Sequence, residues 1–365
     1  MNITAQGRYE ACESERETFL DRARDSSKLT LPTLIPPSNF SNATKYSTPF
    51  NSVGARGVNN LASKLLLSLV PPNAPFFRLK MDDFVIKEIE GDESLKTNIE
   101  EGLSQIERAI MTDIDVMSDR VAIFEALKHL IVAGNVLLFV GETGIRVFPL
   151  SRYVVKRAPS GNVIEIVTKE SLSPSMLPEE IRPAVVDQLK GDERSVDIFT
   201  YIHRKKDKFV VFQEVKGIVV PKSQGTFLAD KSPYIPLRFN RVDGESYGRG
   251  YVEEYFGDLK SLEGLTRAIV EGSAAASKVL FMVAPNGTTR ARKLGESPNG
   301  AIIEGSANDV SVLQVNKFND FRIAYDTMNR IETRLQLAFL LNSSIQRNAE
   351  RVTASEIRFM AEDLE

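Results

Sequence analysis

The sequence predicts an α+β protein in which helices and a body of short strands are followed by two long helices flanking a small β-rich insert. Three observations give this class. Short β-branched and aromatic runs at 136–140, 145–148, 153–157 and 163–168 are joined by Gly141-Glu142-Thr143-Gly144 and Pro159-Ser160-Gly161-Asn162, as in an antiparallel meander. Strand patterns resume at 196–203, 209–215 and 237–239 after a helical stretch near 178–190, so helices and strands do not alternate as βαβ units would require. Beyond Asp243 the pattern changes to helical periodicity at 247–277 and 320–342, with a turn-rich segment between.

The N-terminal elements follow from local signals. Residues 5–28 are charged with sparse apolar positions at Tyr9, Phe19 and Leu20, which suits either a helix lying along another body or, the reading preferred on pattern alone, a solvated one. Residues 31–49, rich in Pro, Ser, Asn and Thr, read as an extended arm or loop. Val58, Leu61, Leu65 and Leu69 have helical spacing, Pro71-Pro72 ends that helix, and burial is expected for it. Ile99, Leu103, Ile106 and Ile110 mark another amphipathic helix; Phe124, Leu127 and Leu130 mark a third, with Gly134 as its stop.

Bulk properties restrict function. With 365 residues, 42% hydrophobic and 26% charged, the chain can bury substantial cores. A formal net charge of -3 argues against gripping nucleic acid by bulk electrostatics, so any contact with DNA is local or loose. The single Cys12 cannot close an internal disulfide, consistent with assembly in a reducing cytoplasm. Two histidines far apart, His129 and His203, cannot build the usual zinc sets, and no cofactor is expected; a carboxylate-held metal stays open but unsupported. The longest apolar stretch, 130–140, is too short to span a bilayer, and the polar start lacks signal-peptide character.

Gly244-Glu245-Ser246-Tyr247-Gly248 fits the nucleophile elbow and lies between an expected strand and an expected helix. A hydrolase of that type needs its histidine after the serine, yet His129 and His203 both precede Ser246, and the parallel sheet is absent. The alternative is a glycine-rich turn feeding the next helix. No phosphate loop ending in Gly-Lys-Ser/Thr occurs, which excludes the usual ATP cradle. His129 reads as structural, and Arg204, Lys205, Lys206 and Lys208 as a solvated hairpin turn. No enzymatic activity is expected.

The long helices carry a packing pattern. Gly264, Ala268, Gly272 and Ala276 recur every four residues; either a neighbouring helix approaches closely along this stripe or the helix merely tolerates its glycines, each costing about 1 kcal/mol. Phe321, Ala324, Met328, Ile331, Leu335, Ala338 and Asn342 form a heptad-like seam, with Arg322, Asp326, Arg330 and Arg334 opposite and Asp326 spaced to pair with Arg330. Between the helices, strands are expected at 279–283, 301–304 and 310–315 around a loop holding Arg290, Arg292 and Lys293. After a polar segment at 343–352, Thr353 and Glu356 form a capping box opening a helix that runs to Glu365, where a shortened protein or a further C-terminal part are both open.

The segments VGARGVNNLASKLLLSLVPP, FEALKHLIVAGNVLLFV, PYIPLRFNRVDGESYGRGYVEEYFGDLKSLEGL and LNSSIQRNAERVTASEIRFMAEDLE resemble the portal, or head-to-tail connector, family of short-tailed bacteriophages over nearly the whole chain. The resemblance implies the phage portal fold: an α/β wing (1–246), a two-helix stem (247–277 and 319–343), a small β-rich clip (278–318), a tunnel loop (344–352) and a helix returning to the wing from 353, with the family's C-terminal crown not in this sequence. It further implies a ring, a dodecamer, at the unique head-tail vertex of the virion, threaded by double-stranded DNA during packaging and ejection. Implied partners are the terminase large subunit, tail adaptor or nozzle proteins, major capsid and scaffolding proteins and, less directly, internal core proteins. The residues so marked are Gln346, Arg347, Asn348 and Arg351 toward DNA, Arg290, Arg292 and Lys293 toward partners, and Gly264, Ala268, Gly272, Ala276, Met328, Ile331 and Leu335 in stem packing. Either Arg347 or Arg351 could instead pair with Glu350 or with a neighbouring subunit.

Overall fold

The computed structural model describes residues 4–38, 43–72, 75–82, 93–189, 195–276, 280–298, 300–313 and 318–341. Contacts divide the chain into two units, 1–257 with 336–365, and 258–335. The first unit opens with α1 (Ala5–Leu29), α2 (Val53–Leu69), α3 (Glu93–Val116) and α4 (Asp119–Ala133). Strands β1 (Asn135–Gly141), β2 (Gly144–Pro149), β3 (Tyr153–Arg157) and β4 (Val163–Leu172) follow, then the short α5 (Arg182–Val186). After α5 come β5 (Val196–Lys205), β6 (Lys208–Val215), β7 (Ile218–Val219), β8 (Gly225–Leu228), β9 (Tyr234–Arg238), β10 (Asn240–Arg241), β11 (Gly248–Arg249) and α6 (Tyr251–Glu254). Helix α7 (Phe256–Ala276) leads into the second unit, which holds β12 (Leu280–Val283), α8 (Ala291–Glu296), β13 (Val310–Leu313) and most of α9 (Phe318–Ala338).

The expected single meander is two sheets. Strands β3-β4-β5-β6-β7 are sequential and antiparallel, with β8 also on β6, whereas β1 sits between β2 and β9 in a separate sheet. A 3-10 turn, Leu150–Arg152, breaks the path between β2 and β3, and Leu150 is buried there. The other edge of β1 pairs with a strand from much later in the chain, Leu137 opposite Pro236 and Asn135 opposite Arg238. A period of two shows which face a strand buries but not its neighbour.

The helix expected near 178–190 shrinks to α5, because Pro183 has no N–H to give and fits only the first turn. Leu177, Ile181 and Val185 still pack on Val196, Ile198 and Val215, forming a small separate core.

Helix α1 is not the solvated helix preferred from its pattern. Ala5 and Tyr9 pack on Val154, Val167, Phe199 and Tyr201 of the larger sheet. Some of its charges are paired against the sheet. Arg8 pairs with buried Glu165, whose Oε2 also accepts a hydrogen bond from Tyr201 at 2.9 Å, and buried Arg16 donates to Tyr9, to the Ser151 carbonyl and to Glu13. The buried carboxylate of Glu214 accepts from Ala5 N at 2.9 Å, satisfying a free amide where the helix dipole favours negative charge. Sparse apolar residues therefore understate the burial, since the buried face also takes in small residues, Ala5, Ala23, Ser26 and Ser27, and the paired Arg16.

Helix α2 is buried over its first half, at Val58 and Leu61, while Leu67 and Leu69 are exposed in the single chain. On α3 the expected apolar stripe is half-buried at Ile99 and Leu103 and open to solvent at Ile106 and Ile110, 50% and 37% exposed. Helix α4 is the central one and ends at Gly134, as its sequence indicates: Gly134 is left-handed at φ 71° and its N–H donates to the Leu130 carbonyl. His129 on this helix is buried, in agreement with its structural reading. The turn Lys206-Asp207 between β5 and β6 puts Arg204, Lys205, Lys206 and Lys208 in solvent, also as read.

Candidate functional site

The glycine-rich segment after β9 is a junction. Helix α6 starts at Tyr251 and breaks at Tyr255, and α7 begins at Phe256, so the helix expected from 247 starts later. The cause is Tyr247 and Gly248. Tyr247 is buried with its hydroxyl accepting from Val155 N at 3.0 Å, and Gly248 pairs with Arg241 in the β10–β11 ladder. Ser246 therefore lies in a hairpin between two short antiparallel strands, correcting its expected place between a strand and a helix. Buried Asn135 holds this junction: its Nδ2 donates to the Ala133 and Gly248 carbonyls and its Oδ1 accepts from Gly248 N at 2.7 Å. Sequence reasoning passed over Asn135; a lone polar residue opening an apolar strand was the available signal.

Aromatic contacts anchor the end of α9 inside the first unit. Phe339 is fully buried, its ring edge-on to Tyr251 and tilted against Tyr255, and Tyr251 donates to the Ala338 carbonyl at 2.8 Å. Asn60 of α2 donates to the carbonyls of Phe339 and Leu340. Leu340 is left-handed at φ 53°, and helix geometry stops at Ala338, short of the expected 342 or 343. Residues Asn342, Gln346, Arg347, Asn348 and Arg351, and the capping box at Thr353 and Glu356, lie outside the described residues.

Within the second unit α7 and α9 pack along the expected seam. Phe321, Ala324, Met328, Ile331 and Leu335 are its half-buried or buried positions, and Thr266 donates to the Met328 sulfur at 3.7 Å. Gly272 permits the close approach: a Cβ there would come within 2.6 Å of the Phe321 ring. The rest of the small-residue stripe behaves differently. Gly264 and Ala268 are exposed, and nothing lies within 4 Å of a Cβ built on Gly264; the side chain of Ala276 is not among those described. On the opposite face Arg322, Asp326, Arg330 and Arg334 are exposed. Asp326 makes no ion pair with Arg330 among the described residues; Arg334 instead reaches Asp258 of α7 at 2.9 Å.

The tip between these helices is a two-stranded sheet, with Phe281 opposite Val312. The segment 301–304, expected as a strand, is irregular, and Ile302 is fully exposed. Asp309 folds the tip: its Oδ2 accepts from Thr288 N at 2.7 Å, from Thr289 N at 3.1 Å and from both hydroxyls. Those donors hold its carboxyl below the usual aspartate range, the Thr289 backbone N–H foremost. Arg290, Arg292 and Lys293 are not in a loop as expected; Arg290 caps the short α8 and the other two lie in its first turn. All three are exposed, with Arg292 paired to Glu296 at 3.0 Å, one turn along. Phe281 and Met282 are also exposed in this unit.

Among the described residues no group of three or more His, Cys, Asp or Glu is placed to hold a metal, and no helix is long and apolar enough to cross a membrane. The family model for bacteriophage head to tail connecting proteins matches residues 2–365, and the chain belongs to that family. Its curated relatives are portal proteins of short-tailed phages. That of Escherichia phage T7 is 43% identical over 99% of this chain and 69% of its own length. That of Enterobacteria phage T3 is 41% identical with the same coverage, and that of Enterobacteria phage SP6 28% identical over 98% of this chain and 70% of its own.

Proposed function

We propose that copies of this chain form a closed ring, a dodecamer, at one vertex of the capsid, and that the ring is a non-enzymatic channel for packaged and ejected DNA. The carrying observation is kinship to phage portal proteins along 99% of the chain. In support, the single chain leaves apolar residues in solvent on α2 and α3, namely Leu67, Leu69, Ile106 and Ile110, together with the Gly264–Ala268 face of α7. Such faces suit burial against neighbouring copies. In this reading 1–246 is the wing, 247–277 and 319–343 the stem, 278–318 the clip and 344–352 the tunnel loop. Negative-stain imaging of purified protein is expected to show rings; lone subunits under all assembly conditions would sink the proposal.

DNA moving through a channel must be guided without being held, since each ion pair to phosphate deepens a well that the packaging motor has to climb. A subunit with a net charge of -3 suits this. In our reading Arg347 and Arg351, with Gln346 and Asn348 as neutral companions, make the few sequence-independent phosphate contacts and restrain the packaged genome. Arg347→Ala is expected to leave rings intact and to lower packaged-genome yield or retention; an unchanged yield removes the role. The clip then docks the terminase large subunit and afterwards the tail adaptor through Arg290, Arg292 and Lys293, with major capsid and scaffolding proteins as further partners of the ring. Reversing those three clip residues to glutamate is expected to weaken tail-adaptor binding by about tenfold or more in a pull-down titration, because exposed charges act through complementarity. Wild-type binding by that variant takes them out of the interface.

A further inference from the structure

The hairpin that carries Ser246 closes one wall of a pocket with no part in the channel reading. Arg157, Arg238 and Arg241 line it together with Gly161, Glu245 and Ser246, around a cavity of about 120 Å³. That volume holds several waters and hence a phosphate-sized ion. Half-buried Arg157 leaves the end of β3 and donates Nε to the Ser246 carbonyl at 3.1 Å, Nη1 to Gly161 at 3.2 Å and Nη2 to Pro236 at 2.8 Å. Arg238 donates Nη1 to the Glu245 carbonyl at 2.9 Å. The remaining nitrogens converge: a methyl built on Gly161 would stand 3.3 Å from Arg241 Nη1 and 3.5 Å from Arg238 Nη2.

Three cations thus share one pocket, answered mainly by carbonyl dipoles. Among the described residues their ion-pair partner is Asp243, 3.6 Å from Arg241 and with a side chain 96% exposed. Glu245 offers only its carbonyl, because its carboxylate is engaged by Arg249 at 2.6 and 3.1 Å. Burial first, then Arg238 and Arg241, push the Arg157 guanidinium down from its ordinary range, and burial and Arg241 do the same to Arg238. Guanidinium groups keep their protons at any working pH, so the repulsion is relieved by an anion and not by titration. Three guanidinium groups lining one cavity suit a tetrahedral oxyanion, which accepts in every direction, better than a planar carboxylate.

We propose that this pocket binds a phosphate-class oxyanion, held by the free N–H groups of Arg157, Arg238 and Arg241. Inorganic phosphate titrated into the full chain and followed by calorimetry is expected to show one saturable site per chain. Arg241→Gln, at an exposed position, is expected to weaken it by about tenfold, and Asp243→Asn, which removes the competing carboxylate, to strengthen it. Arg204→Gln, at the exposed end of β5, serves as the charge-matched control. A phosphomonoester and a dinucleotide phosphodiester titrated separately distinguish a terminal phosphate from a nucleic-acid backbone as the source, either of them fitting the site. Binding that Arg241→Gln leaves unchanged, an equal loss in Arg204→Gln, or no saturable binding below about 10 mM overturns the proposal.

Discussion

Gly134→Ala is expected to destabilise the protein by about 4 kcal/mol, through strain and collision together. The residue is left-handed at φ 71°, a conformation that costs a side chain about 1 kcal/mol by itself. The added Cβ would also stand 2.3 Å from Arg249 C and 2.4 Å from Gly250 N, where only backbone is available to move. Moving it would disturb the Gly134 carbonyl bond to Phe239 N and the Asn135 bonds to Gly248, which hold α4, β1 and the β10–β11 hairpin together. Gly217→Ala is the matched comparison, since Gly217 is left-handed at φ 81° with nothing within 4 Å of the new Cβ. Denaturant unfolding of both variants reads the difference; similar midpoints would mean that the junction is looser than its geometry implies.

Below about pH 6.5 the protein is expected to lose stability through His129, by up to about 3 kcal/mol as pH reaches about 4. Burial pushes the His129 pKa from 6.5 down to about 4. Its Nδ1 has no hydrogen-bond partner among the described residues, and Glu125 Oε1 lies 4.0 Å from Nε2. Between those two pH values the unfolded chain takes up a proton that the folded chain refuses, so acid favours unfolding; above 6.5 both states are neutral and the contribution is flat. His129→Leu is expected to remove that part of the pH dependence while leaving neutral-pH stability equal or higher, because it also removes an unpaired buried nitrogen. Denaturation midpoints across this range test it. Parallel pH profiles for the two proteins would place the acid sensitivity elsewhere.

Much of the local structure was legible from residue order. Pro71-Pro72, Gly134 and the apolar spacing along α2 and α4 mark helices whose ends are set by backbone chemistry close in sequence, and the β3 limits coincide with the run at 153–157. The seam of α9 was legible too, because Met328, Ile331 and Leu335 repeat with the helix. The short α5, the irregular 301–304 segment and the α8 position of Arg292 and Lys293 escaped, since short apolar or charged runs fit strand, helix and loop alike. The family came from long combinations of residues, and the full-length match to head-to-tail connecting proteins agrees with it.

Sequence by itself determined the class of protein, the helix stops and the alternation of the central strands, all of which depend on chemistry within a few residues. Tertiary structure alone decided that β9 closes the sheet beside β1, that Glu214 caps α1 from across the fold, and that Arg157, Arg238 and Arg241 surround one cavity. Each of these joins groups dozens to hundreds of positions apart. A hydrogen-bond donor or a charge carries no mark of which distant partner will satisfy it, and only burial of the whole core brings the two within reach.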